Sequence, residues 1–316
     1  HRTDPRGQHE GGALPVSAKK RLGWIGVGNM GAPMAARLCE AGYEMTVCGS
    51  GRRDLSGYAA QTGASLAKNP AELAGRADVI FTMIPNGEIL LEIAEQLASV
   101  PLTGKILIDM STVDPESSQK TAETVGRAGG SFLRAPVTGS THFAKTGTLG
   151  IMVSGERALF EQCLPYLQVL GNRQTYLGPG EEARVMKLLI NMLLAQELQA
   201  LSEALVLGQK LGLPRAEMLD LIADSAAGAP IYQYKKDTLR QRDFTPTSTG
   251  YNMHKDMKMA MALAAASGTA VPTAAVTMQM YNTLMAMGLG RMDNTSICLV
   301  NERLNQPYAQ PTNSEG

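Results

Sequence analysis

Lys187 and Asn191 stand four residues apart, so on a helix they share a face and set an amine beside a carboxamide. An amine so placed can give a proton to an oxygen that gains negative charge, and take it back. The same spacing also suits a surface lysine whose stem covers apolar residues while its charge stays in water. A second group is Gly26-Val27-Gly28-Asn29-Met30-Gly31, the pattern Gly-x-Gly-x-x-Gly. Leu22-Gly23-Trp24-Ile25 before it reads as a short buried strand, and Ala32 to Ala41 after it as a helix closed by Gly42. In that setting the first glycine permits a tight turn, the second lets a pyrophosphate approach the backbone, and the third lets helix and strand pack closely. The start of the helix adds free N–H groups and partial positive charge for the phosphates. Together these residues imply a dinucleotide site.

The identity of the dinucleotide is read one strand later. Glu44 to Cys48 reads as the second strand, and NAD sites commonly end it in an acid that holds the ribose 2′-hydroxyl. Here Gly49-Ser50-Gly51-Arg52-Arg53 follows, with no carboxylate to repel a 2′-phosphate and two guanidiniums to pair with one. The expectation for Ser50, Arg52 and Arg53 is NADP, with NAD as the alternative; a solvated basic turn is the reading without function.

The elements that must position these groups alternate. Ala77 to Ile84 reads as a strand ending at Pro85-Asn86, Ile89 to Leu97 as a helix, and Lys105 to Met110 as a strand followed by Ser111-Thr112. Asp114 suits a helix cap with Pro115 as first residue. Such repeats imply a parallel sheet covered on both faces, whose ligands lie outside the carboxyl ends of the strands. Met83, Ile84, Pro85, Ser111 and Thr112 fall there. Thr138, Gly139 and Ser140 offer hydroxyls and open backbone that suit a small carboxylate. Strands at Thr148 to Ser154 and Gln174 to Leu177 flank a helix, Glu156 to Leu170. One helix then runs from Glu181 to Leu211, about 45 Å long. It opens after Gly178-Pro179-Gly180, stops at Gly212 before Pro214, and carries an apolar stripe of Val185, Leu188, Leu189, Met192, Leu198, Leu201 and Leu205. Beyond it every segment reads as helical, and the methionines from Met257 to Met285 read as helix packing. The expected fold is an α/β Rossmann domain with a mostly parallel, doubly wound sheet (residues 19–180). An all-α domain follows (181–316), joined by the long helix at 181–211.

Composition narrows the function classes. The 316 residues carry 29 basic and 29 acidic side chains, which argues against nucleic acid and charged membranes as partners. No apolar run reaches the length of a membrane span, and residues 1–18 read as a polar, flexible leader. Cys39, Cys48, Cys163 and Cys298 lack metal spacing, so the expectation is reduced thiols, a cytoplasmic protein and no metal.

The motifs taken in order resemble the β-hydroxyacid dehydrogenases, which include 3-hydroxyisobutyrate dehydrogenase, glyoxylate and semialdehyde reductases and, more remotely, 6-phosphogluconate dehydrogenase. The likeness runs from about Leu22 to about Arg303. It rests on the glycine turn, Met83-Ile84-Pro85, Asp109-Met110-Ser111-Thr112 with Pro115, and Ala135-Pro136-Val137-Thr138-Gly139. Gly147-Thr148-Leu149, Gly178-x-Gly180, Lys187-x-x-x-Asn191 and Lys255-Asp256 complete it. The resemblance implies that Lys187 is the catalytic acid/base and that Asn191 holds substrate. It also implies that Lys255 reaches the cofactor or substrate across a domain cleft, with Asp256 placing it. It suggests a short β-hydroxy acid or semialdehyde as substrate. The many apolar helices of the second domain, whose outward faces need cover, favour a homodimer or homotetramer.

Departures from the family pattern concentrate where substrate is expected. Arg134 replaces an Asp, Thr138-Gly139-Ser140 replaces Ser-Gly-Gly, Phe143 replaces a glycine, and Ile190-Asn191 replaces paired asparagines. Leu194 replaces the glutamate of the decarboxylating relatives, which favours simple reversible reduction. Two other readings are a nucleotide-binding scaffold without catalysis and an imine reductase; the presence of Lys187 and Asn191 speaks against the first, and Lys187 against the second.

Overall fold

A computed structural model describes residues 20–51 and 53–306. The leader at 1–18 and Arg52 therefore lie outside the described residues. The chain begins β1 (Leu22–Ile25), α1 (Gly31–Glu40), β2 (Met45–Cys48), α2 (Ser56–Thr62), β3 (Ser65–Leu66), α3 (Pro70–Arg76), β4 (Val79–Thr82), α4 (Gly87–Leu97) and β5 (Ile106–Asp109). It continues with α5 (Pro115–Arg127), β6 (Ser131–Arg134), β7 (Val137–Thr138), α6 (Thr141–Thr146), β8 (Leu149–Ser154), α7 (Arg157–Leu170) and β9 (Gly171–Gly178). Then come α8 (Glu182–Lys210), α9 (Arg215–Asp224), α10 (Pro230–Gln241), α11 (Gly250–Ser267), α12 (Pro272–Ala286), a 3₁₀ turn at Asn294–Ser296 and α13 (Ile297–Leu304).

The sheet runs β3-β2-β1-β4-β5-β6-β8-β7, with β9 beside β8. Its first six strands are parallel, while β8 is antiparallel to β6 and β7. β1 lies between β2 and β4, so the chain reverses its direction of winding beside the glycine turn, where doubly wound sheets bind nucleotides. Every residue of β1, β2, β4 and β5 is buried. That two-sided burial explains their mostly apolar composition. One face packs Trp24, Phe81, Ile108 and Leu133 against Met34 and Leu38 of α1; the other packs Ile25, Ile80 and Leu107 against Leu73, Ile93 and Leu97.

Local chemistry sets several helix starts. Asn69, Asn86 and Asp114 each accept a hydrogen bond from a backbone N–H three residues on, and Pro70 and Pro115 occupy first-turn positions. The long helix divides its stripe. Leu188, Leu198, Leu201 and Leu205 are buried, but Val185 and Leu189 lie on an exposed apolar face with Met186 and Leu193. The methionines of α11 and α12 form core: Met253, Met257 and Met278 are buried with Tyr281 and Leu284, and Met261, Met280 and Met285 pack against them. Among the described residues no helix is long and apolar enough to cross a membrane.

Candidate active site

The three glycines of the first turn meet three separate demands. Gly26 has φ +98°, and a Cβ there would lie 2.1 Å from the Met83 carbonyl oxygen. A Cβ on Gly31 would lie 1.9 Å from the Gly26 oxygen, so α1 packs directly on the turn. At Gly28 a Cβ would meet nothing within 4 Å, which leaves the backbone open to an outside group. Val27 is buried, Gly28 and Asn29 are exposed, and no side chain caps α1; the Ala32 N–H is taken by the Gly28 carbonyl at 2.9 Å and Pro33 has none, so the opening is formed by the backbone of the turn itself. These features fit a pyrophosphate.

Arg53 lies at the end of β2 and donates to the Val27 carbonyl at 3.4 Å, which brings its guanidinium to the glycine turn. Ser50 is exposed nearby. Asp54, a carboxylate that the sequence reading passed over, accepts from the N–H and hydroxyl of Ser56 at 2.9 and 2.7 Å. It is thereby engaged at the start of α2.

The C-terminal ends of β4 and β5 are joined to the helical lobe by Lys255. Its amine donates to the carbonyls of Pro85 and Thr112, each at 2.9 Å. It also pairs with Asp256 at 3.3 Å. Asp256 is buried in α11 and accepts from the Asn191 amide of α8 at 2.6 Å. Its other carboxylate oxygen is buried without a hydrogen bond. Met83 and Ile84 are half-buried beside the same ends.

Lys187 sits one turn before Asn191. Its surface is partly accessible, and among the described residues its amine makes no hydrogen bond or ion pair. Burial pushes that amine down to about 8; Asp256 opposes the fall and Lys255 adds to it. An amine so lowered, with no competing partner among the described residues, has the chemistry to exchange a proton near neutral pH.

Ser111 lies just past the end of β5. Its hydroxyl is wholly buried, donates to Asp109 at 2.7 Å and accepts from the Ile84 N–H at 2.8 Å. It braces the loops after β4 and β5. Sequence reasoning missed the residue behind it, Arg184, whose guanidinium pairs with Asp109 at 2.6 Å with both side chains 0% exposed. Arg184 also donates to the Ser111 carbonyl at 2.8 Å and the Ser118 hydroxyl at 3.0 Å. This network fixes the first turn of α8 to the sheet and so sets the height of Lys187. The available signal was Arg184 three residues before Lys187, with Asp109 at a strand end.

The departures from the family pattern separate in space. Arg134 is buried and pairs with Glu181 at the start of α8, with Nε 2.8 Å from the carboxylate and the guanidinium over Phe132. It ties the end of β6 to the start of α8. Thr138 and Ser140 are half-exposed, and Gly139 has φ +121°, a conformation that side chains resist. Phe143 lies over Gly139, where an added Cβ would come within 2.9 Å of the Phe143 Cβ. His142 is exposed.

Comparison with known proteins agrees with this geometry. A family model described as the NAD binding domain of 6-phosphogluconate dehydrogenase matches residues 21–178. A second, described as NAD-binding of NADP-dependent 3-hydroxyisobutyrate dehydrogenase, matches residues 182–300. Glyoxylate/succinic semialdehyde reductase 1 of Arabidopsis thaliana is 33% identical over 87% of this chain and 96% of its own length. The 2-(hydroxymethyl)glutarate dehydrogenase of Eubacterium barkeri is 32% identical over 90% and 95%. The solved structure of Mycobacterium tuberculosis 3-hydroxyisobutyrate dehydrogenase with L-serine superposes with TM-score 0.81 at 26% identity, covering 91% of this chain and 100% of that one. With the glycine turn at the sheet's switch point and these matches over both halves, the chain belongs to the β-hydroxyacid dehydrogenase family of NAD(P)-dependent oxidoreductases.

Proposed function

We propose that the protein interconverts a short β-hydroxy acid and its semialdehyde with NADP(H), and that Lys187 is the acid/base. The observation that carries this reading is the Lys187 amine, unpartnered and lowered to about 8 by burial. Gly26, Val27, Gly28, Asn29, Met30 and Gly31 would hold the pyrophosphate, and Met83, Ile84, Pro85 and Thr112 would line the path toward the nicotinamide. Ser50, Arg52 and Arg53 would take the 2′-phosphate, supported by Arg53 at the turn and by Asp54 being engaged elsewhere. When bound, the nicotinamide supplies or accepts the hydride.

The chain's own residues do the rest. Thr138, Gly139 and Ser140 would receive the carboxylate, and Asn191 would orient the reacting oxygen while held by Asp256. In reduction, Lys187 gives its proton to the carbonyl oxygen as negative charge develops there; in oxidation it removes the hydroxyl proton. Lys255 closes the helical lobe onto the strand ends. In this reading residues 19–180 bind nucleotide, and the chain from 181 onward, beginning with the interdomain helix, completes the site. The exposed face of Val185, Met186, Leu189 and Leu193 supports a homodimer or homotetramer, and four free cysteines support a cytoplasmic setting.

The test is NADPH oxidation with a panel of short aldehydes and semialdehydes, repeated with Lys187→Ala. Turnover on at least one semialdehyde, lost in the variant while nucleotide binding by fluorescence titration persists, is expected. Binding without turnover on any member would favour a scaffold, and turnover of cyclic imines alone would favour an imine reductase.

A further inference from the structure

We propose that Phe143 and Tyr234 form an aromatic clasp across the mouth of the crevice and set the size limit of the substrate. The proposal rests on the reading of Thr138-Gly139-Ser140 as the carboxylate site. Phe143 projects from α6, directly after those residues, in the sheet-bearing lobe; Tyr234 projects from α10 in the helical lobe. Their rings meet edge to face, with centroids 5.8 Å apart and planes at 72°. His142 packs edge-on against the other side of Phe143 at 5.6 Å. Edge-to-face pairs at this separation are attractive and directional.

Both rings ride on anchored elements, so their contact reports how the lobes are set. On the Phe143 side, Arg37 donates to the carbonyls of Val169 and Lys145 at 3.2 and 3.5 Å, and the Thr146 and Thr148 hydroxyls bond at 2.7 Å. Gly147 has φ +68°, and a Cβ there would lie 2.5 Å from the Arg37 Nε, so the turn after α6 closes over that guanidinium. On the Tyr234 side, Tyr232 donates to the Glu197 carbonyl at 3.2 Å, and the buried Lys235 pairs with Asp293 at 2.8 Å. Tyr234 itself is 62% exposed, so the ring contact lies at the surface.

Besides the first turn of α8, the lobes touch where Lys255 meets the β4 and β5 ends and where Phe143 meets Tyr234. Lys187 and Asn191 stand on α8, the helix between the lobes. A substrate whose carboxylate rests near Gly139 must keep its remaining atoms inside the rim, because Phe143 occupies the space over that glycine. Short, unbranched chains satisfy this; a bulky or aryl substituent must displace a ring.

The experiment measures kcat/KM with NADPH across semialdehydes of increasing length and branching, for wild type, Phe143→Ala, Tyr234→Ala, the double variant and Tyr234→Phe. Each alanine variant should raise the bulky-to-short selectivity ratio about tenfold, the low end of what one methylene is worth in a hydrophobic pocket. The double variant should do no more than either single change, since both remove one clasp, and Tyr234→Phe should keep the wild-type ratio. A ratio unchanged in both single variants, or effects that multiply in the double, would overturn the clasp. If wild type turns over no semialdehyde, the assigned chemistry fails and hydrogen exchange on the NADPH complex decides the clasp separately. Phe143→Ala should then speed exchange in α10, on the opposite lobe; an unchanged α10 overturns the proposal.

Discussion

The Asn191 amide donates to the Asp256 carboxylate at 2.6 Å, and both side chains are buried. This bond ties α8 to α11 one turn beyond Lys187, so the helix carrying the amine cannot rotate without breaking it. Asn191→Ala would leave one oxygen of the buried Asp256 carboxylate without its donor, which costs about 1–3 kcal/mol. Thermal unfolding should register that loss, and KM for the aldehyde should rise. An unchanged melting temperature would mean that the bond contributes nothing.

Two substitutions should move the titration of Lys187 in opposite directions. Asp256 raises the lysine pKa and Lys255 lowers it. Asp256→Asn therefore carries the pH limb of the reduction below its wild-type position, and Lys255→Met carries it above. Lys255→Met also removes the donor to the Pro85 and Thr112 carbonyls, so nucleotide affinity should fall in that variant alone. Parallel shifts of the limb in both variants would contradict the electrostatic assignment.

Arg184 and Asp109 form an ion pair with neither side chain exposed. Removing one partner from such a pair costs about 3–5 kcal/mol, because the other charge stays buried alone. Arg184→Met should show this in denaturant unfolding, and a paired Arg184→Met, Asp109→Leu variant should recover part of it. Equal losses in the single and paired variants would argue that packing, not charge, is what the arginine provides.

The glycine turn was legible because each of its positions answers a local demand. Gly26 needs its positive φ, Gly31 admits no Cβ, and Gly28 faces open space. The parallel strands were legible from apolar runs buried on both faces, and the long helix from its turn at Gly178-Pro179-Gly180 and its stop at Gly212. Short elements such as β3, β7 and α6 were not, since two to six residues carry no period. The roles of Ser111 and Arg134 were hidden for another reason. The Ser111 bond to Ile84 and the Arg134 pair with Glu181 join segments apart in sequence, and no spacing along the chain encodes that Arg134 would meet Glu181 or that Arg184 would reach Asp109. Val185 and Leu189 belong to the periodic stripe but stay exposed, because periodicity marks an apolar face without naming what covers it.

Arg53 should set the choice of dinucleotide. Its Arg53→Ala variant loses a charge-assisted contact to a 2′-phosphate, so the Kd for NADPH should rise roughly tenfold or more while that for NADH stays level. Titration of protein fluorescence with each nucleotide measures both. Equal weakening for the two would place the guanidinium on the shared part of the nucleotide instead.

The most direct measurement is the pH dependence of kcat in both directions, in wild type and Lys187→Ala. With the amine lowered to about 8, it is protonated below that value and free above it. Reduction needs the ammonium and should fall as pH rises through about 8, whereas oxidation needs the free amine and should rise through the same region. Lys187→Ala should lose most turnover and both limbs together. Limbs that survive in Lys187→Ala, or two wild-type directions that change with pH in the same sense, would contradict Lys187 as the proton donor and acceptor.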